Sequence, residues 1–497
     1  MANYYRATSD TKFGTILSKV IICFLAIYTL YLIFINQIFI DLISLNLSYQ
    51  LKYSVAVYVV IAILVISLFV LIHFVSCRLN ISPAVFAIVI FILAFVFKSI
   101  LVFLTDTQPV SDFNVFYQYA LKLFNGDKSF GDTMYFKTWA YQTGPVIYYA
   151  AIMKVFGTGL IPLKLVNCFF MAGTNVLIYL IARKISNDFT ARAVALLYLL
   201  YLAPYFLTTV LTNQHFAACV FLLAIYIFLS ERFNWAIKGT IAGTVIAIGN
   251  TVRPIGIVII VASIIWGIIE IIRTHKYVKM GAVIILLIAY LLVNYGCSAM
   301  VKYTGINSEG LANNFPLWKF VVGINHESIG TFSYEDEDKV YRIQDFNERN
   351  NVAKQVIKQR LSVGLKKIAQ LMNEKQIAMW ALSDTLSWGF YDQIDGQLVP
   401  PKELKNLEPT VLKIEKIYYI LIFILMFIGL CKLFMANKIN QGVLLLSLIL
   451  LCYFGIHFLI EIQVRYRYFA VILVFIMAAK GSEMLIGRIG ANKKYNS

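Results

Sequence analysis

The chain has 497 residues, of which 60% are hydrophobic and only 14% are charged. A soluble domain is closer to half apolar and a quarter charged, so this composition excludes a soluble protein. The formal net charge of +17 would suggest nucleic acid in a soluble protein, but here the basic residues lie mostly in short loops, and we expect no nucleic-acid partner.

Apolar runs of about twenty residues recur along the whole chain, and this is the length needed to cross a bilayer. Backbone groups in lipid must be satisfied within their own segment, so each run predicts a helix. The predicted fold class is an all-α polytopic membrane protein with about 12 transmembrane helices. The predicted spans are 19–40, 53–77, 83–104, 160–182, 191–208, 212–230, 238–251, 254–272, 280–300, 415–436, 441–460 and 467–487.

Basic residues follow the positive-inside rule if both termini are cytoplasmic. Arg78, Arg183, Arg273 and Lys432 then lie on one side of the membrane with every other short basic cluster. We therefore expect a multi-pass protein of the cell membrane.

Two long segments lie on the opposite, extracytoplasmic side in this arrangement. The first contains an apolar stretch, 144–157, that is too short to span and predicts an interfacial or re-entrant helix. The second mixes acidic and basic residues, with a helical pattern near 350–381, and predicts a folded cap. The predicted units are 1–104 (three helices), 105–159 (first outer loop), 160–301 (central bundle), 302–414 (cap) and 415–497 (three helices).

Asp112, in Pro109-Val110-Ser111-Asp112-Phe113, is the candidate catalytic residue. A carboxylate at the interface can act as a general base. The structural alternative is equally open, since Ser111 or Asp112 could cap a helix over 113–124.

Three arginines are candidates for binding a phosphate. Arg253 interrupts the apolar stretch 239–272, where an arginine is costly unless it meets a partner; it could bind a lipid phosphate or snorkel at a helix hairpin. Arg465 and Arg467 lie on the outer side, against the charge rule, and could pair with Glu461 or with a phosphate.

Polar and aromatic residues near these positions are candidates for binding the substrate. Amide and imidazole groups could bond a sugar or a neighbouring helix, and aromatic rings could stack on a sugar or form an interfacial belt. The candidates are Asp106, Tyr117, Trp139, Tyr141, Gln142, Asn213, His215 and Glu461.

The chain lacks a phosphate-binding glycine loop and metal-type cysteine spacing, so we expect no metal and no cofactor. Charges gather at one outer face rather than along a mid-membrane relay, which favours an enzyme at the interface over a proton-coupled transporter.

Four stretches follow one another along the chain: Asp112 with Tyr117, Ala120 and Gly126; 144–149 with Gly157, Lys164 and 179–183; 249–254; and 465–468. In this order and spacing they resemble the GT-C fold glycosyltransferases, close to glycosyltransferase family 39, which includes protein O-mannosyltransferases and the lipid A aminoarabinose transferase. In this chain, Phe113 stands where the family has a second acidic residue.

The resemblance implies a polyprenyl-phosphate-linked sugar as donor and transfer on the extracytoplasmic side to an envelope glycan, lipid or protein. Asp112 would act as base in an inverting single displacement, and Arg253, Arg465 or Arg467 would neutralise the leaving phosphate. Two alternatives remain: a lipid-linked oligosaccharide flippase, and a polysaccharide polymerase or ligase that acts on diphosphate-linked chains.

Overall fold

The computed structural model describes residues 10–40, 55–105, 107–382, 392–394, 397–399 and 407–494. These residues are almost entirely helical, which confirms the all-α class. The helices are α1 (Lys12–Ile38), α2 (Val55–Arg78), α3 (Pro83–Leu104), α4 (Ser111–Phe124), α5 (Met134–Thr138), α6 (Thr143–Phe156), α7 (Leu160–Ile185), α8 (Asp188–Leu200), α9 (Ala203–Thr208), α10 (Gln214–Phe228), α11 (Trp235–Val252), α12 (Gly256–Thr274), α13 (Val278–Tyr303), α14 (Leu317–Gly323), α15 (Tyr334–Asp336), α16 (Phe346–Leu361), α17 (Leu365–Gln376), α18 (Glu408–Met435), α19 (Gln441–Leu459) and α20 (Tyr468–Lys494).

Shorter elements connect these helices. Three 3-10 turns cover Ser129–Asp132, Ala140–Gln142 and Val464–Arg467, and two π turns cover Glu337–Tyr341 and Ile377–Ala381. The short strands β1 (Asp392–Ile394) and β2 (Gln397–Val399) pair antiparallel.

Eight of the described helices are long and apolar enough to cross a membrane: α1, α2, α3, α7, α12, α13, α18 and α19. The chain is therefore a multi-pass membrane protein, while the full count of 12 spans stays a prediction. The prediction of one helix over 191–208 is wrong, because α8 ends at Leu200 and α9 begins at Ala203. Pro204 has no backbone N–H to donate to the carbonyl of Leu200, four residues earlier, which explains the break.

Contacts define one end of the bundle, which we call the basic end. Arg273, at the end of α12, donates to Asp10 before α1 and to the carbonyl of Ile439 between α18 and α19, both at 2.9 Å. Asn440 in the same turn donates to the carbonyl of Lys184 at the end of α7. The helix directions then place the α3–α4 connection, the α11–α12 turn and the α19–α20 connection at the other end, which we call the loop end.

Helix α6 approaches α11 unusually closely at the loop end. An added Cβ on Gly144 would lie 1.7 Å from the carbonyl oxygen of Thr251, so only glycine fits there. Because Gly144 is in the first turn of α6 and Thr251 in the last turn of α11, this contact fixes the first outer loop against the segment that carries Arg253.

The described part of the segment 302–382 packs against both the first loop and the bundle. Phe315, Trp318 and Val356 belong to a small core that Trp139 of the first loop contacts. Lys375 in α17 donates to the carbonyls of Gly323, Phe458 and Ile460, at 2.5, 2.9 and 2.8 Å. One ammonium group therefore joins α14, α17 and the end of α19.

The Gly144 contact predicts a clear stability difference between two glycines. Gly144→Ala must displace α6 or α11, and we expect it to lower the free energy of unfolding by about 1–3 kcal/mol. Thermal unfolding of the purified protein in detergent, followed by tryptophan fluorescence, measures the change.

The control for this experiment is Gly296→Ala in α13. A Cβ there meets no atom within 4 Å, and alanine favours a helix, so the melting temperature should stay the same or rise. Equal melting temperatures for both variants would contradict the close-contact interpretation.

Candidate functional site

Asp112 lies in the first turn of α4 and is not a helix cap. Val110 is the N-cap and makes no side-chain capping bond, so the alternative in which Ser111 or Asp112 caps the helix is wrong. Ser111 has a φ of 51°, a left-handed conformation that side chains rarely adopt. The Asp112 carboxylate is 43% exposed and lies 3.9 Å from Nη2 of Arg465.

Tyr135 is a member of the site that the sequence did not reveal. Its hydroxyl donates to Oδ1 of Asp112 at 3.4 Å. Burial raises the pKa of Tyr135 well above its ordinary value, and the charge of Asp112 raises it further, so the hydroxyl remains a donor at neutral pH. It is one of many aromatic residues in this loop, and nothing in its spacing marks it.

Trp139 connects Tyr135 to the cap. Its ring meets that of Tyr135 edge-on, with centroids 5.2 Å apart, and stacks on Tyr341 at 4.6 Å and 16°. The predicted substrate-binding tryptophan is thus close to the Asp112 cluster, but its rings already pack against protein partners.

Two contacts hold Arg465 beside Asp112. Its Nε donates to Oε1 of Gln463 at 2.5 Å, and its guanidinium lies 4.7 Å from the ring centre of Phe113. The side chain is only 12% exposed. Phe113, the apolar residue after Asp112, therefore supports the cation that faces the acid.

Arg253 reaches the same cluster from the α11–α12 turn. Its guanidinium lies 5.3 Å from the ring centre of Tyr466, and Arg465 lies 5.9 Å from the same ring. Nη1 of Arg253 donates to Oδ1 of Asn213 at 3.2 Å, and Asn213 in turn donates to the carbonyl of Val252. Two cations thus share one tyrosine ring.

The pKa of Arg253 reflects this crowding. Burial lowers it, the neighbouring Tyr453 and Tyr466 raise it, and the positive charge of Arg465 lowers it again. Like charges this close repel each other, so the pair would be stabilised by a bound anion.

Glu461 forms an ion pair with Lys319 of α14, through its Oε2. Its Oε1 accepts from Nε2 of Gln463 at 2.9 Å, and the residue is 5% exposed. Burial would raise the pKa of Glu461, but Lys319 and Gln463 lower it below its ordinary value. Burial would likewise lower the pKa of Lys319, but Glu461 raises it well above its ordinary value. Both groups are therefore ionised, and Lys319 was not among the predicted residues.

Arg467 belongs to a different cluster. Its Nη2 lies 4.0 Å from Glu415, which also accepts from the hydroxyl of Tyr201 at 2.6 Å. Its Nη1 donates to the carbonyl of Trp380, and it is 3% exposed. The structure does not bring Arg467 to Asp112, although it is two residues from Arg465.

The other predicted residues divide between the site and the core. Tyr141 lies near the cluster: burial raises its pKa to about 12, Lys319 lowers it, and Tyr466, Glu461 and Asp112 raise it. His215 is fully buried, and its ring nitrogens contact the hydroxyl of Tyr468 and the carbonyl of Leu207. Tyr117 donates to the carbonyl of Thr158.

Two predicted residues remain. Gln142 is the N-cap residue of α6 and makes no side-chain capping bond. Asp106 lies outside the described residues.

Within the described ranges, no three His, Cys, Asp or Glu side chains form a group that could hold a metal ion. Comparisons of this chain with protein-family models, with curated proteins and with solved structures found no match.

The Lys319–Glu461 pair predicts acid sensitivity of the packing between cap and bundle. The folded-state pKa of Glu461 lies below its ordinary value of 4.5, so the pair contributes stability above that pH. This contribution is lost as the pH falls through the lowered value. We expect the melting temperature of the native protein to fall more steeply below pH 4.5 than that of Glu461→Gln.

At pH 7, Glu461→Gln should itself cost about 1 kcal/mol, because Lys319, whose side chain is 34% exposed, loses its charged partner. Asp338→Asn is the matched control, since its ion pair with Arg342 is exposed and should contribute little. If both variants and the native protein lose stability in parallel on acidification, the pair does not stabilise the cap.

Proposed function

We propose that this protein is a membrane glycosyltransferase that moves a sugar from a polyprenyl-phosphate-linked donor to an envelope glycan, lipid or protein. The observation that supports it is the convergence of an exposed carboxylate, Asp112, with two guanidinium groups, those of Arg253 and Arg465. The resemblance to the GT-C glycosyltransferases leads to the same proposal from the sequence.

The two arginines favour a phosphate as ligand. Guanidinium groups bind phosphate oxygens bidentately, and two of them near one ring can offset the charge of a phosphodiester and of the leaving phosphate. The donor's lipid tail fits this position, because Arg253 and Arg465 lie where α11 meets α12 and where α19 meets α20, at the ends of apolar helices.

The proposed reaction needs one base and one stabilised leaving group. Asp112 accepts the proton of the acceptor hydroxyl as its oxygen attacks the anomeric carbon. The bond from that carbon to the phosphate oxygen breaks, its electron pair stays on the phosphate, and Arg253 and Arg465 stabilise the charge. A single displacement inverts the anomeric configuration. Tyr135, through its hydrogen bond, orients the carboxylate.

The positive-inside rule supports an extracytoplasmic location for this reaction. The basic end carries Arg273, Lys279 and Lys438 around a single cavity that also includes Asp10 and Glu270. Loops of this composition remain in the cytoplasm, so the loop end with Asp112 faces outward.

The first prediction from this mechanism concerns Asp112→Asn, which removes the base and keeps the shape of the side chain. We expect transfer to fall by about 100-fold or more, because general base catalysis contributes about 10²–10⁴. Mass spectrometry of envelope glycans and of polyprenyl-phosphate sugars, in cells with matched protein abundance, measures it. One glycan decoration should disappear and a monophosphate-linked sugar should accumulate.

Asp132→Asn is the control in the same loop. Asp132 is 80% exposed and pairs only loosely with Lys137, at 3.6 Å, so transfer should be unchanged. If Asp112→Asn retains the native glycans and lipid-linked sugars, Asp112 is not the base. Accumulation of diphosphate-linked chains instead would support the polymerase or ligase alternative.

A second prediction concerns donor binding by Arg253. Arg253→Gln should raise the donor concentration needed for half-maximal transfer by about 10- to 100-fold, the effect of losing a charged hydrogen bond of about 1.5–3 kcal/mol. Arg253→Lys should recover part of this loss, since it keeps the charge but not the bidentate geometry. Transfer assays with purified protein and titrated donor measure the change.

Arg342→Gln removes the same charge from an exposed position of the cap, where the side chain is 66% exposed. It should leave the donor dependence unchanged. An unchanged donor dependence for Arg253→Gln as well would remove Arg253 from the phosphate site.

A further inference from the structure

A continuous chain of polar contacts runs from the cap to Asp112. Lys319 of α14 pairs with Oε2 of Glu461, whose Oε1 accepts from Nε2 of Gln463 at 2.9 Å. Oε1 of Gln463 accepts from Nε of Arg465 at 2.5 Å, and Nη2 of Arg465 lies 3.9 Å from Oδ2 of Asp112. Arg465 is the member of this chain that contacts the acid.

The backbone holds the cap end of this chain in place. The N–H of Glu461 donates to the carbonyl of Lys319 at 2.8 Å. An added Cβ on Gly323 would lie 2.3 Å from the carbonyl oxygen of Leu459, so α14 lies directly against this segment. Lys375 donates to the carbonyls of both Gly323 and Ile460. The cap and the segment that carries Arg465 are therefore joined by backbone and side-chain contacts.

The amide of Gln463 gives the chain a direction. One end of a primary amide donates and the other accepts. Because a carboxylate only accepts, Glu461 binds the NH2 end of Gln463, and the carbonyl oxygen is left facing Arg465. If residue 461 were a neutral amide, Gln463 could turn over and present its NH2 group to the guanidinium, which cannot accept a hydrogen bond.

We propose that Lys319, Glu461 and Gln463 form a positioning relay that fixes the side chain of Arg465 beside Asp112. The relay residues act through Arg465 and do not contact the reacting atoms. What Arg465 then does to a donor phosphate rests on the proposed function, whereas the positioning itself does not.

The relay is tested without substrate by the reactivity of Arg465. The full-length protein in detergent is treated with phenylglyoxal, and modification of each arginine is followed by peptide mass spectrometry. In Glu461→Gln, we expect Arg465 to react about tenfold faster than in the native protein, which corresponds to about 1.4 kcal/mol. The exposed Arg342 is the internal control for the activity of the reagent, and it should react at the same rate in every variant.

Exchanging residues 461 and 463 distinguishes positioning of Arg465 from a purely structural role of Glu461. Glu461→Gln combined with Gln463→Glu moves the carboxylate two residues along, so that it accepts directly from Arg465. Protection of Arg465 should return to the native level, although Lys319 still lacks its partner. If Glu461 only anchors Lys319, the double variant will stay as reactive as the single one, and the relay is wrong.

Gln463→Leu provides an independent arm, since it interrupts the chain and leaves the Lys319–Glu461 pair intact. It should also raise the reactivity of Arg465 about tenfold. A native rate in Gln463→Leu overturns the relay. If Glu461→Gln does not accumulate in cells, the labelling of Gln463→Leu alone decides whether the relay exists.

Transfer assays on the same proteins keep the two proposals apart. The relay predicts that kcat falls about 10- to 100-fold in Glu461→Gln, as misplacement of a catalytic group does, and recovers in the double variant. If labelling follows the relay and no variant or native protein transfers a sugar, the relay stands and the proposed function fails. If Arg465 labelling is native throughout, the relay fails whatever the transfer activity.

Discussion

The free-energy cost of placing a charged side chain next to lipid hydrocarbon determines where the charged residues of this protein can lie. Apolar helices leave the helix ends as the sites where charges meet water or a partner. At the basic end, Arg273 is satisfied by two carboxylates, Glu270 at 2.5 Å and Asp10 at 2.9 Å. At the loop end, Arg253 has an amide and a tyrosine ring instead. The same kind of cation is thus neutralised by carboxylates at one end and contacts an amide and an aromatic ring at the other.

Much of this organisation follows from sequence because it depends on local pattern. Eight of the predicted spans recur as long helices since their apolar runs exceed the membrane thickness, and no alternative structure satisfies the backbone there. Asp112 and Arg253 could be selected because a charge next to an apolar run is costly and therefore conspicuous. In the structure, both lie at the loop end.

The partners of these charges could not be predicted, because they come from distant parts of the chain. Lys319 and Glu461 are 142 residues apart, and no feature of either segment marks the pairing. Arg465 and Arg467 look equivalent in sequence, but they lie on one 3-10 turn, where residues two apart project in different directions. One therefore faces Asp112 and the other Glu415. His215 likewise looked like a ligand for a sugar and is a satisfied core residue.

The solvent exposure of the side chains around Asp112 indicates how the acceptor and the lipid-linked donor of the proposed reaction could reach one site. Asp112 is 43% exposed, whereas Arg465 is 12% exposed. Ile257, one turn along from Arg253, is 52% exposed on the apolar surface of α12. In the proposed reaction, the acceptor would therefore approach Asp112 from the open side, and a lipid phosphate would approach Arg253 from the bilayer. Because the ring of Tyr466 lies beside both arginines, the two proposed routes converge there, at the guanidinium group that the proposed relay positions.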